Sequence, residues 1–254
     1  MSDHDATDRF LKSLPELNPG ESFQFACHPE VPCFNACCSD LTLMLTPYDV
    51  YRLRQALHLT SQEFINNYAT LTHSPDTGFP MLHLNMEDNA QKSCPFVTAK
   101  GCAVYPNRPG ACRTYPLGRA TRLDNEDNII EQFFIVQEPH CRGFEQSQNW
   151  TSAEWLKDQD LATYNEFNDK YMRLMALARD KRVRLNPKQT NMAFLAQYNL
   201  DGFRGFLDEI GILDRLNIED ARKQAILKDD LECLIFGLEW LGLVFFGENR
   251  HLRP

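Results

Sequence analysis

Cys27-His28-Pro29-Glu30-Val31-Pro32-Cys33-Phe34-Asn35-Ala36-Cys37-Cys38 is the stretch on which the reading of this chain turns. It sets four thiols in a proline-bearing segment that reads as loop, because proline and glycine punctuate the chain between regular elements. The same style returns at Cys94-Pro95-Phe96, Gly101-Cys102, Pro109-Gly110-Ala111-Cys112-Arg113 and His140-Cys141. Eight of the nine cysteines therefore fall between Cys27 and Cys141. The ninth, Cys233, sits in Leu231-Glu232-Cys233-Leu234-Ile235-Phe236, where a free cysteine reads as a small buried hydrophobe.

Thiolate is the ligating form of cysteine, and soft sulfur selects zinc, copper(I) or iron–sulfur clusters. Four ligands complete one zinc or one cluster, so eight thiols can serve one site with reserves or two adjacent sites. Cys37 and Cys38 are the most informative pair. Adjacent side chains diverge, so the pair suits two neighbouring metals, or one ligand beside a second thiol with a supporting or redox role. Zinc ribbons present paired Cys-x-x-Cys knuckles. Here the gaps are five residues from Cys27 to Cys33, three to Cys37, seven from Cys94 to Cys102 and nine to Cys112. That spacing disfavours a simple ribbon and leans slightly toward an iron–sulfur cluster, with zinc still open. Arg108, Arg113 and Arg119 lie close enough in sequence to offset thiolate charge. His28, His83 and His140 can ligate metal, but the cysteines suffice without them. The chain shows no Gly-rich phosphate loop, nucleophile elbow or protease-type Cys/His pairing.

Around these loops the expected fold class is α+β: a loop-rich cysteine-cluster half with short helices and a small antiparallel sheet, then a helical C-terminal half. Residues 1–22 read as a lead-in segment, 23–145 as a cysteine-cluster metal-binding domain, and 146–254 as a helical region packed on it. Leu41–Leu45 alternates as a short strand. Thr46-Pro47-Tyr48-Asp49 opens a helix to about Leu57 with proline at its first position. Thr60-Ser61-Gln62-Glu63 has the form of a capping box and opens a second, to about Tyr68. Phe79–Met86 and Ile129–Gln137 are the best strand candidates. Thr151-Ser152-Ala153-Glu154 is another capping box, after which Trp155, Leu156, Leu161, Tyr164, Phe167, Tyr171 and Leu174 keep a helical period until Asn186-Pro187. Further helices are expected at about 188–198, 201–214 and 219–246.

Composition narrows the function classes. The 254 residues are 43% apolar, enough for a full core, and 26 basic against 35 acidic side chains give a net charge of −9. That balance argues against a nucleic-acid partner bound by phosphate neutralisation. The short run Arg179, Lys181, Arg182, Arg184 reads as a solvated helix end. Met1–Arg9 is charged and lacks an apolar core, so no secretory signal is read there. Leu231–Gly247 is the most apolar stretch, but it carries Glu232 and Glu239 and is short for a span, so a core helix is expected. Nine cysteines outside an oxidising compartment point to free or metal-bound thiols in the cytoplasm.

Cys27…Cys33…Cys37-Cys38, the segment Leu45-Thr46-Pro47-Tyr48-Asp49-Val50-Tyr51-Arg52-Leu53, Cys94-Pro95-Phe96, and Gly101-Cys102-Ala103-Val104-Tyr105-Pro106-Asn107-Arg108-Pro109-Gly110-Ala111-Cys112-Arg113-Thr114-Tyr115-Pro116 together resemble the YkgJ family of bacterial cysteine-cluster proteins. The resemblance covers about residues 23–145 and implies a zinc- or iron-chelating domain of CxxCxxCC type. The family's gaps of two are five and three here, which leaves Cys27 the least certain of the early four. The expected ligands are Cys33, Cys37, Cys38, Cys94, Cys102 and Cys112, then Cys27 and Cys141. The expected cofactor is an iron–sulfur cluster or zinc, with the metal ion or cluster as the partner and no membrane span. One alternative is a cluster-dependent protein-modifying enzyme resembling flagellin lysine N-methylase, with a pocket lined by Trp150 and Trp155. Another is a metal chaperone or redox sensor with exposed, exchangeable thiols.

Overall fold

The structure, a computed structural model, describes residues 14–124, 129–248 and 252. In chain order these form β1 (Glu16–Leu17), β2 (Ser22–Gln24), β3 (Met44–Leu45), α1 (Pro47–Leu57), α2 (Ser61–Tyr68), β4 (Ala69–His73), β5 (Pro80–Leu84), β6 (Val97–Thr98) and β7 (Gly101–Cys102). Then come α3 (Gly110–Thr114), β8 (Leu117–Leu123), β9 (Ile129–Ile135), β10 (Asn149–Thr151), α4 (Ser152–Asp158), α5 (Ala162–Asp180), α6 (Pro187–Gln197), α7 (Leu200–Ile210), α8 (Asp220–Lys228) and α9 (Asp230–Phe246). The class is α+β, with small antiparallel sheets in the N-terminal half and a helical C-terminal half.

Two compact units divide the chain, each discontinuous in sequence. Unit 1 joins the described residues up to Leu41 with Met86–Asn165, and unit 2 joins Thr42–Asn85 with the residues from Glu166 onward. The segment 42–85 lies between the cysteine-bearing loops in sequence but belongs with the C-terminal helices in space. Of the lead-in segment, residues 1–13 lie outside the described residues.

In unit 1 the longest pairing is the antiparallel β8–β9 hairpin, which runs from Leu117 opposite Ile135 to Leu123 opposite Ile129. β1 adds to the other edge of β9. β2 pairs with β10 from far along the chain, with Phe23 opposite Trp150, 127 positions apart. Leu17, Phe23, Phe25, Leu117, Phe133 and Trp155 are buried together as the core, and Trp150 packs against them. The indole N–H of Trp150 donates to the Phe25 carbonyl at 2.9 Å, and that of Trp155 to the Thr114 carbonyl at 3.0 Å. Trp155 is therefore a core residue and Trp150 a half-buried one packed against it, both with satisfied N–H groups.

Unit 2 holds the sheet β3-β5-β4, with β5 in the middle. Its helices start where local chemistry dictates. Thr46 with Asp49 and Thr60 with Glu63 form reciprocal capping boxes on α1 and α2, and Asn186 with Gln189 does the same on α6. Each cap satisfies amide groups with no partner inside the helix and contributes about 1 kcal/mol. The long helix expected after Thr151 is broken instead. α4 ends at Asp158, Asp160 takes a positive φ of 50°, and α5 begins at Ala162. The apolar period continues across that break, which is why periodicity alone does not reveal it. The expected 219–246 helix is likewise two, divided at Asp229, whose extended backbone lets its carboxylate cap the start of α9.

α9 carries the Leu231–Gly247 stretch. Cys233, Leu234, Phe236, Leu238, Trp240 and Leu241 are buried on it, while Glu232 and Glu239 pair with Arg222 at 2.7 and 2.8 Å. Among the described residues no helix is long and apolar enough to cross a membrane. Beneath it, the buried Arg54 pairs with Asp230, and Arg204 reaches Asp230 at 2.7 Å and Asp201 at 3.7 Å. The carboxylate of Asp201 accepts from the Ser61 amide at 2.7 Å. Buried charges persist only when paired in this way.

Candidate metal centre

All eight candidate thiols, Cys27, Cys33, Cys37, Cys38, Cys94, Cys102, Cys112 and Cys141, belong to unit 1. Cys233 is buried in unit 2, as a packing residue should be. The cysteines are free thiols; Cys27, Cys37 and Cys112 are exposed, and Cys33, Cys38, Cys94, Cys102 and Cys141 are half-buried.

The first loop is a chain of tight turns. The amides of Val31, Phe34, Ala36 and Cys38 bond the carbonyls of His28, Val31, Cys33 and Asn35, each three residues back. Val31, 2% exposed, anchors the loop, and Asn35 takes the left-handed conformation at φ 68°. At its entrance, Phe25 and Ala26 extend β2 by bonding Gln148 at 2.8 Å and Gly143 at 3.1 Å. Gly143 fits there because a Cβ would come within 2.5 Å of the Phe25 ring. Next to it the Arg142 amide donates to the Cys33 sulfur at 3.1 Å. This closure brings Cys27, Cys33 and Cys141 to one place from both ends of unit 1.

A second set gathers at the other end of the loop. The Cys94 amide bonds the Cys38 carbonyl at 2.8 Å, and Ser39 bridges Ser93. Cys94 leads into the β6–β7 hairpin, where Val97 sits opposite Cys102. The side-chain amide of Asn35 donates to the Thr98 carbonyl at 3.0 Å and holds the hairpin to the first loop. Cys112 is presented by the short α3.

The thiols interact through one electrostatic network. The Cys38 thiol is hydrogen-bonded to Cys37, which brings Cys37 down to about 6 against desolvation; His140 lowers it further. The same bond, with desolvation and the nearby Cys37, Cys94 and Cys112, holds Cys38 strongly protonated. Desolvation and then Cys37, Cys33 and Cys141 push Cys27 up to about 11. Desolvation also raises Cys94, with Cys102 and Cys37 contributing, and raises Cys102. Unmetallated, Cys27, Cys38, Cys94 and Cys102 hold their protons more tightly than a free thiol, and metal must displace them.

Of the three arginines noted in the sequence, Arg108 is in electrostatic contact with the cluster, reaching Cys27, Cys102 and Cys112. Its guanidinium lies 3.7 Å over the Tyr105 ring and bonds the Tyr105 carbonyl and the Gln159 side chain. Arg113, also buried, clamps the carbonyls of Pro106 and Gln159 and sits over Tyr164. Arg119 pairs with Glu131 at 2.8 Å. His140 approaches Cys37, while His83 lies on β5 in unit 2. Tyr115, not among the expected site residues, shares a hydrogen bond with Cys141 and has its phenol raised, first by desolvation.

Among the described residues, no three His, Cys, Asp or Glu side chains already converge on one point suited to an ion. What fits a metal is the donor chemistry: eight free thiols in one unit, an amide N–H on sulfur at Cys33 and a buried cation at Arg108. Such a unit is a cysteine-cluster domain, with its thiols on loops, one short strand and one short helix, and the longer strands and helices as support. Residues 26–142 match the family described as CxxCxxCC, putative zinc- or iron-chelating domain, in agreement with the resemblance read from the sequence. The matched stretch includes 42–85, which packs in unit 2. No curated protein and no solved structure matches the chain.

Proposed function

We propose that this chain holds an iron–sulfur cluster or zinc through Cys33, Cys37, Cys38, Cys94, Cys102 and Cys112, joined by Cys27 and Cys141. The observation that carries this reading is the gathering of eight free thiols, from five separate stretches of chain, into one unit and one electrostatic network. Ordinary packing gives no reason to crowd thiols at exposed and half-buried positions, whereas metal binding does. Bound metal would supply four strong bonds per centre and stabilise a unit whose strands are mostly two or three residues long. Arg108 and the Arg142 amide would offset thiolate charge. The free thiols and acidic balance fit a reducing, cytoplasmic setting without nucleic acid.

The exposure of Cys27, Cys37 and Cys112 favours a second reading, in which the metal exchanges as in a chaperone or redox sensor. Anaerobic purification with metal, sulfide and visible-spectrum analysis tests the main reading. Brown protein absorbing near about 400 nm, with iron and sulfide, identifies a cluster, and colourless protein with stoichiometric zinc identifies zinc. Protein that takes up neither metal and leaves every thiol titratable refutes it. Rapid transfer of bound zinc to a colorimetric chelator supports exchange, and transfer only on unfolding refutes it.

A further inference from the structure

Backbone contacts gather six of the eight thiols into two groups of three, and electrostatic contacts add Cys37 to one and Cys112 to the other. On one side, the bonds from Ala26 to Gly143 and from the Arg142 amide to the Cys33 sulfur, both 3.1 Å, bring Cys27, Cys33 and Cys141 around one turn. Cys27 interacts there with Cys33, Cys141 and also Cys37. On the other side, the bond from the Cys94 amide to the Cys38 carbonyl at 2.8 Å and the pairing of Val97 with Cys102 bring Cys38, Cys94 and Cys102 together. Cys38 interacts there with Cys94 and with Cys112. The groups meet at the hydrogen-bonded pair Cys37–Cys38 and at Cys37's approach to Cys94. Arg108 interacts with members of both.

We propose that these are two adjoining metal sites, one built from Cys27, Cys33, Cys37 and Cys141 and the other from Cys38, Cys94, Cys102 and Cys112. Each takes one centre completed by four thiolates, a zinc ion or an iron–sulfur cluster. The inference rests on the metal-binding reading above and deepens it from a cysteine cluster to a count and a partition. Four thiolates satisfy one tetrahedral centre, and a second four would be idle in a single-site protein. Neighbouring residues leave the backbone in different directions, so chelation of one small ion by both Cys37 and Cys38 is strained; two adjoining centres remove that strain. For zinc, four thiolates around each ion leave a site of net charge −2. Two such sites side by side repel, and Arg108 stands where it offsets both.

The test uses the full chain, prepared metal-free and then loaded either with zinc or, anaerobically, with iron and sulfide. Metal per chain is measured for wild type, C27S/C141S and C94S/C102S, with cobalt(II) substitution to report thiolate coordination by its visible bands. The expected result is two zinc ions, or two clusters, in wild type and one in each double variant. One centre in wild type overturns the partition. So does a double variant that keeps the full wild-type content, or folded variants that both lose everything. If a serine variant loses its circular dichroism, C27H/C141H and C94H/C102H, which keep a ligating atom, take its place, and the wild-type count needs no variant at all. Wild type that binds no zinc and assembles no cluster refutes the underlying function instead, so the two failures are distinct.

Discussion

Replacing Gly143 by alanine should destabilise unit 1 and loosen the entrance to the first cysteine loop. The added Cβ would lie 2.5 Å from Cε2 and 3.0 Å from Cδ2 of Phe25, and 2.9 Å from the Ala26 carbonyl oxygen. Ordinary contact begins at 3.4 Å, so the ring would have to retreat by about 0.9 Å (3.4 minus 2.5). It has little room, since Phe25 is 2% exposed and meets Phe144, Trp155 and Tyr115 edge-on with ring centroids 5.3, 5.5 and 5.8 Å away. Overpacking of this kind costs about 1–3 kcal/mol. The stiffer unfolded chain of an alanine variant returns about 0.4–1 kcal/mol, so overpacking wins and a net loss of about 0.5–2 kcal/mol is expected. G205A is the control: its Cβ meets nothing within 4 Å in α7, so it should gain about 0.5–1 kcal/mol. Urea unfolding of both metal-free variants, followed by circular dichroism and tryptophan fluorescence, measures the difference. An unfolding midpoint for G143A at or above that of wild type, with unchanged slope, would refute the packing argument. Because Phe25 leads directly to Cys27, G143A should also bind zinc more weakly.

R108Q should weaken metal binding by about 10–100-fold in chelator competition, because it removes the cation that faces Cys27, Cys102 and Cys112. R119Q, taken from a pair with Glu131, should leave binding unchanged; equal losses in both variants would count against a specific role for Arg108. C233A should keep its full metal content and lose about 1 kcal/mol of stability, since it trims a fully buried side chain on α9. A drop in metal content would mean that Cys233 is no mere packing residue. Asp201 gives unit 2 an acid sensitivity. Burial opposes its charge, but the Ser61 amide and the Arg54 and Arg204 cations outweigh burial and hold its carboxyl below the usual 3.8. A depressed carboxyl contributes stability in full above the unfolded value and loses it as pH falls through the folded one. Acid titration of D201N should therefore show a shallower loss below about pH 4 than wild type, and an identical titration would show that the ion pair is not coupled to folding.

The sequence by itself determined what depends on neighbours along the chain. The starts of α1, α2 and α4 were legible because a capping side chain and the amides it satisfies lie within three residues. The burial of Cys233 followed from its apolar flanks, and the eight-thiol set from residue type and crowding into loops. Tertiary structure decided what depends on residues far apart. β8, Leu-Gly-Arg-Ala-Thr-Arg-Leu, has no apolar alternation that marks it and is a strand through its pairing with β9. β4 likewise gains its strand from β5. The joining of 42–85 to the C-terminal helices has no local sign, since apolar faces on α1 and α2 say that something covers them and not what. The same holds for the cysteines. Spacing identifies eight donors, but the division between those around Cys27 and those around Cys38 comes from hydrogen bonds between segments as distant as Cys33 and Arg142, and no local pattern encodes such contacts.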